Sequence, residues 1–134
     1  MKFKLVENLI DELDLISDSL IDELKNKFGN DFDSKPLCRE VTKYIEDKLD
    51  VKGLYYNVIV FSKESGIISN NGHCVIYHNK KVYDYTSNQY SHYEGIEKID
   101  YCPRVLTYDE EMSNIFGMKC YSQNNYVITI TEEI

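Results

Sequence analysis

Residues 72–89, Gly72-His73-Cys74-Val75-Ile76-Tyr77-His78-Asn79-Lys80-Lys81-Val82-Tyr83-Asp84-Tyr85-Thr86-Ser87-Asn88-Gln89, set two segments rich in Val, Ile, Tyr and Thr on either side of Asn79-Lys80. Such residues suit a pleated, half-buried surface, and Asn tolerates the positive φ of a tight turn, so the stretch predicts a β-hairpin. With a two-residue loop, His78 faces Lys81, Val75 faces Asp84 and His73 faces Thr86. Side-chain alternation then gathers His73, Val75 and Tyr77 on one face with Val82, Asp84 and Thr86. His73 becomes the diagonal neighbour of Asp84, roughly 5–8 Å away. A three-residue loop would turn one strand over and separate the imidazole from the carboxylate.

A histidine beside an aspartate is half of a nucleophilic site, because the carboxylate holds the ring in one tautomer and leaves the other nitrogen as a base. The upstream stretch 34–50 supplies a nucleophile. It reads as a helix with apolar residues at Leu37, Val41, Tyr44, Ile45 and Leu49. Pro36 suits a first turn, Ser34 or Asp33 can offer a capping oxygen, and Gly53 can take the left-handed position after the end. Cys38 falls in the first turn, where unpaired N–H groups and the helix dipole favour thiolate over a thiol of pKa about 8.5. The turn signal Asn70-Asn71-Gly72 leads straight into His73, which places it at the mouth of a strand and predicts an exposed ring.

A cysteine on a helix N-terminus, a histidine on a strand and an aspartate on the next strand, in that order, resembles the papain-like and transglutaminase-like superfamily of cysteine enzymes. The run Asp84-Tyr85-Thr86-Ser87-Asn88-Gln89-Tyr90 is similar to the Asp-x-Thr-x-x-Gln-aromatic stretch that follows the histidine strand in small bacterial and phage members. The resemblance spans Cys38 to Tyr90, under half of the chain. It implies an α+β papain-like fold, with N-terminal helices packed on an antiparallel β-sheet. It also implies a cysteine-dependent acyl-transfer enzyme of peptidase, amidase or deamidase type acting on an amide of a protein or peptide, with no cofactor. Cys38 would be the nucleophile, His73 the base and Asp84 its orienter. Gln89 either donates to an oxyanion or ties down its own loop. Phe32 stands six residues before Cys38, where papain has the glutamine of its oxyanion hole.

The 134 residues are 43% apolar and carry a net charge of −8. That length predicts one domain, 1–134, with room for a core that needs neither disulfide nor metal. No apolar run reaches about 18 residues, so no membrane-spanning helix is expected. Acids interrupt the segment after Met1-Lys2-Phe3-Lys4 from Glu7 onward, which leaves no secretory h-region and predicts a cytoplasmic protein. Cys38, Cys74, Cys102 and Cys120 form no CxxC pair and are expected as free thiols. A zinc site from Cys38, His73 and Cys102 has no ligand spacing behind it, so no metal is expected. The acidic balance argues against direct contact with nucleic acid or an anionic membrane.

Residues 1–29 read as a long amphipathic acidic helix. Phe3, Val6, Leu9, Ile10, Leu13, Ile16, Leu20, Leu24 and Phe28 form its apolar stripe, and Glu7, Asp11, Asp14, Asp18 and Asp22 lie opposite. That acidic strip supports a second reading, a non-catalytic binding or inhibitor protein of bacterial or phage origin that blocks a basic protein partner. Residues 54–131 are expected to be mainly β. They divide into a strand over 54–62, a polar loop over 63–71, the hairpin, a loop over 87–94, an undecided stretch over 95–101 and a strand over 104–108. A short helix over 109–116 closed by Gly117 and a hairpin from 118–122 and 126–131 follow. His78 and His92 are expected at the surface. Cys74 is expected in the core, on the face opposite His73.

Overall fold

The structure, a computed structural model, describes residues 18–54, 58–69, 72–100 and 102–130. It is an α+β arrangement in which helices cover an antiparallel, curled sheet. The helices are α1 (Asp18–Phe28), α2 (Cys38–Leu49) and α3 (Glu110–Phe116). The strands are β1 (Lys52–Leu54), β2 (Val58–Ser62), β3 (Gly66–Ser69), β4 (Val75–His78), β5 (Lys81–Asp84), β6 (Arg104–Tyr108), β7 (Lys119–Gln123) and β8 (Tyr126–Ile130). The eight strands form one sheet in the order β1-β4-β5-β6-β7-β8-β2-β3. β1 and β2 are consecutive in the chain yet lie first and seventh across the sheet. Leu54 and Val58 can be no more than about 15 Å apart along the chain, whereas the same positions on a flat sheet would be about 29 Å apart. The sheet therefore curls until its two ends approach.

Period-two alternation divides the strands between two cores. Val75, Val82, Leu106, Tyr121, Tyr126 and Ile128 pack together inside the curl with Val58 and Val60. Their neighbours Ile76 and Tyr83 point outward, where Leu20, Ile21 and Leu24 of α1 and Val41 and Ile45 of α2 cover them. Phe61, Cys120 and Val127 form a third cluster, with Met112 of α3 packed against it. Each fully buried aliphatic side chain here contributes roughly 1.5–3 kcal/mol of transfer free energy. Of the α1 stripe expected from the sequence, Leu20 and Leu24 are buried and Phe28 is half-buried, Ile21 is buried beside them, and Asp18 and Asp22 are exposed. The remainder of the 1–29 reading, with Glu7, Asp11 and Asp14, lies outside the described residues.

The β4–β5 hairpin has the expected register, with His78 opposite Lys81, Tyr77 opposite Val82 and Ile76 opposite Tyr83. Asn79 and Lys80 both take positive φ, 50° and 64°. A lysine in that conformation carries a steric cost of roughly 1–2 kcal/mol that glycine avoids. Lys80→Gly is expected to stabilise the protein by about 0.5–1 kcal/mol, the remainder being lost to the freer unfolded chain. The urea midpoint measures it, and a lower midpoint would show that the turn has no strain to release.

Several expectations need correction. The Cys38 helix does not begin at Ser34. Pro36 disfavours helical geometry at Lys35, which is extended at φ −102° and ψ 158°, so Phe32–Ser34 forms a separate 3-10 turn and α2 starts at Cys38. Leu37 is the N-cap, and no side chain caps that end. Asp50, not Gly53, takes the left-handed position after α2, because β1 has already begun at Lys52. The polar loop over 63–71 contains β3, which folds back on β2 across a register shift between Val60 and Phe61. Its Ile67 is exposed, so β3 lacks the buried alternation that marks a strand in a sequence. α3 and the β7–β8 hairpin form where expected. Asp109 accepts a hydrogen bond from the Met112 N–H, and Gly117 closes the helix at φ 67°.

Candidate active site

Cys38 is the first residue of α2 and is half-buried. Its position follows from Pro36, which delays the helix and leaves the uncapped first-turn N–H groups around the sulfur. His73 precedes β4 and Asp84 ends β5, so the hairpin brings the two together. His73 Nε2 lies 2.8 Å from Asp84 Oδ2. Asp84 Oδ1 accepts the Thr86 N–H at 3.1 Å, which fixes the carboxylate plane. The Tyr126 hydroxyl donates to Oδ2 at 2.5 Å. The other ring nitrogen, His73 Nδ1, lies 3.2 Å from the Tyr90 hydroxyl.

The expected exposure of His73 is wrong: the residue is 1% exposed and Asp84 is fully buried. The edge of the ring meets Tyr90 at 5.1 Å between centroids, and Tyr90 in turn lies 6.3 Å from Tyr126. These two tyrosines come from the 3-10 turn Ser87–Tyr90 and from β8. Neither covering contact belongs to the hairpin itself. Solvent therefore meets the site at Cys38.

Cys74 is buried, as expected, but it does not turn away from the site. Segment 72–74 precedes β4, so strand alternation does not govern it, and the Cys38 and Cys74 thiols shift each other's titration. The thiol hydrogen bond from Cys74 is the largest influence on Cys38. Burial opposes it, and the hydrogen bond and charge of His73 then add to it, so that the Cys38 thiol falls to about 4. Cys74 moves the other way, pushed far up by Cys38 and by burial. Burial presses His73 toward the neutral form, but the charge and hydrogen bond of Asp84, followed by those of Cys38, raise it to about 9. Between those values the site holds a thiolate beside an imidazolium.

Arg104 of β6 stands directly opposite Asp84 in the β5–β6 ladder and is 2% exposed. Its guanidinium donates to Ser87 Oγ at 3.1 Å, to Gln123 Oε1 at 2.8 Å and to the Glu97 carbonyl. It also lies 5.0 Å from the centre of the Tyr126 ring, the ring whose hydroxyl holds Asp84. Burial lowers the Arg104 pKa. With Cys38 and Asp84 anionic and His73 and Arg104 cationic, the buried charges cancel, which suits a region poor in water.

Gln89 donates from Nε2 to Thr86 Oγ1 at 3.2 Å, within its own loop. Asn88 spans further, donating to Asp33 at 2.6 Å and exchanging hydrogen bonds with the Ile99 backbone. Phe32 is a core side chain, 1% exposed. Cys102 belongs to the cluster beneath α1 and α2, where burial, with the charge of Asp33, pushes its thiol up to about 12. No three His, Cys, Asp or Glu side chains form a metal-binding group among the described residues. His92 is exposed and stacks on Tyr93. His78 is only partly exposed, and its Nε2 has no hydrogen-bond partner among the described residues.

Sequence reasoning missed Tyr126, Arg104 and the role of Cys74. Tyr90 was in view as the aromatic residue that ends the Asp84 stretch, with no role attached to it. Comparison with protein-family models, with curated proteins and with solved structures finds no match to this chain.

Proposed function

We propose that the chain is a cysteine-dependent acyl-transfer enzyme with a papain-like fold, acting on an amide of a protein or peptide. The observation that carries this reading is the line Cys38–His73–Asp84. A half-buried thiol at the start of α2 has its pKa lowered in part by an imidazole whose Nε2 is held at 2.8 Å by a buried carboxylate. The Cys38 thiolate attacks the amide carbonyl carbon, and the backbone N–H of Cys38 at the helix start helps hold the oxyanion. The His73 imidazolium then protonates the departing amine, leaving a thioester on Cys38. Neutral His73 takes a proton from the incoming water or amine, which regenerates the thiolate and completes hydrolysis or transfer. Asp84 keeps Nε2 as the donor, so Nδ1 is the nitrogen that exchanges the proton. The four free thiols suit a reducing compartment such as the cytoplasm.

An activated ester tests this without knowledge of the natural substrate. With p-nitrophenyl acetate, the wild type is expected to release a burst of about one nitrophenolate per chain. The acetyl group should reside on Cys38 and be removed by hydroxylamine, and Cys38→Ala should lose the burst. Acetylation of surface lysines alone, with an unchanged time course in Cys38→Ala, would point away from catalysis and toward the acidic surface as the functional part of the molecule.

A further inference from the structure

One short run of chain addresses both nitrogens of His73. Asp84, at its start, holds Nε2 at 2.8 Å, and Tyr90, at its end, sets its hydroxyl 3.2 Å from Nδ1. The residues between them are tied at each step. The Thr86 N–H donates to Asp84 Oδ1, the backbone and side chain of Gln89 both donate to Thr86, and Asn88 fastens the turn to Asp33 and to the Ile99 backbone. Gln89 thus serves the 3-10 turn that carries Tyr90. We propose that Tyr90 is a positioning residue of the acyl-enzyme, whose hydroxyl donates to His73 Nδ1 once that nitrogen has lost its proton and so keeps the neutral base in place. This role rests on the acyl-transfer reading, because that chemistry leaves Nδ1 bare while Cys38 is occupied.

The two stages of the reaction leave His73 in different company. Before acylation the ring is charged and the Cys38 thiolate balances it. In the thioester the sulfur is uncharged, the proton has gone to the departing amine, and a ring that is 1% exposed is left with a bare nitrogen. A buried acceptor without a donor carries the full penalty of its lost hydration. A hydroxyl suits this place better than a fixed donor or acceptor, since its oxygen accepts from Nδ1–H in the first stage and its O–H donates to Nδ1 in the second. Burial, followed by the charge of Asp84, holds the Tyr90 phenol above its ordinary range, so it keeps its proton at neutral pH. At 3.2 Å the contact is long for a hydrogen bond, so incoming water can take over the lone pair when His73 acts as base.

The charged and titratable groups about the ring are Asp84 of β5, Cys38 of α2, Cys74 next in the chain, and Tyr90. Tyr126 of β8 and Arg104 of β6 stand one and two contacts further off, behind Asp84. Asp84 and the thiolate favour the charged ring, and burial favours the neutral one. A donor at Nδ1 also favours the neutral ring. With the thiolate gone, the Tyr90 hydroxyl therefore lowers the pH at which His73 gives up its proton, and removing the hydroxyl raises it.

NMR titration of the His73 ring in Cys38→Ala, with and without Tyr90→Phe, tests this without any turnover. Phenylalanine keeps the ring beside Tyr126 and removes only the hydroxyl. The His73 midpoint is expected to rise by roughly half a unit to one unit in the double variant. Above that midpoint, the Nδ1 resonance of Cys38→Ala should lie upfield of an unbonded ring nitrogen and move downfield when the hydroxyl is removed. Should the double variant not fold, that resonance in Cys38→Ala decides by itself. In Tyr90→Phe alone, the burst with p-nitrophenyl acetate should persist and the pH midpoint of the slower deacylation should rise by a similar amount. An unchanged His73 midpoint would leave Tyr90 a packing residue, and a lower one would show that its oxygen serves the charged ring; either overturns the proposal. A burst with an unshifted midpoint would overturn the Tyr90 role alone, whereas a shifted midpoint in a protein that gives no burst would overturn acyl transfer and this role with it.

Discussion

Alkylation of Cys38 by iodoacetamide, followed by mass spectrometry across pH, is expected to switch on near pH 4 in the wild type and at a clearly higher pH in His73→Ala. The wild-type midpoint follows from the Cys74 and His73 hydrogen bonds that hold the thiol at about 4. Removing His73 deletes both a hydrogen bond and a positive charge, so the midpoint climbs toward the free-thiol value of about 8.5. Cys74 remains and keeps it from arriving there. The midpoint is the quantity to read. At pH 6 a rise of about three units would cut the thiolate fraction roughly tenfold, but a more basic thiolate is intrinsically more reactive, with a Brønsted slope of about 0.4–0.5 that offsets the loss. A rate at one pH would therefore understate the change. A wild-type midpoint near that of an ordinary thiol, unmoved in His73→Ala, would remove the imidazole from any part in activating Cys38.

Asp84→Ala is expected to lower the unfolding free energy by about 3–5 kcal/mol, because it strands a buried imidazolium and the Tyr126 hydroxyl at once. Asp84→Asn preserves the shape and removes the charge. Burial is the largest influence on His73, and Asp84 is what outweighs it, so in Asp84→Asn the imidazole should become neutral and the alkylation midpoint of Cys38 should rise with it. Urea unfolding and the same alkylation series measure the two effects. A loss under about 1 kcal/mol in Asp84→Ala would mean that His73 is neutral in the native protein. The wild-type pH dependence has a related signature. His73, raised to about 9 from 6.5, contributes stability that is full below pH 6.5 and lost as pH rises through 9. Cys38, lowered to about 4 from 9, contributes stability that is present above pH 9 and lost as pH falls through 4. Between pH 6.5 and 9 the two trends oppose each other, so the contribution of the pair is flat there and declines from pH 6.5 toward pH 4.

The parts of this molecule that were legible in the sequence are those set by short-range geometry. Asn79-Lys80 determines the register of β4 and β5, and the hairpin so paired has His73, just before β4, hydrogen-bonded to Asp84 at the end of β5. Pro36 marks the neighbourhood of a helix start, and so places Cys38 in a first turn, although the start itself lies later than the capping residues suggest. What the sequence concealed depends on strands that meet across the sheet. Tyr126 reaches Asp84 from β8 and Arg104 reaches Tyr126 from β6, and neither carries a local mark of that destination. The burial of His73 was hidden for the same reason, since its cover includes Tyr90, which in turn packs on Tyr126 of β8. Cys74 was misread because alternation was extended one residue beyond the strand. β3 was misread because an exposed edge strand need not alternate.

The curl of the sheet has a consequence for the order in which the site comes into being. The β4–β5 hairpin closes across two residues, so the imidazole–carboxylate pair belongs to the part of the chain that can organise on microsecond timescales. The β2–β8 ladder joins Val58 to Ile130, and such distant pairings incur their loop-closure entropy before any contact compensates it. Tyr126 is on β8, three strands from β5 in the sheet, and reaches Asp84 only where the sheet has curled. The chain thus acquires its base early and the lock on that base later, and the electrostatics that make Cys38 a nucleophile are a property of the finished fold.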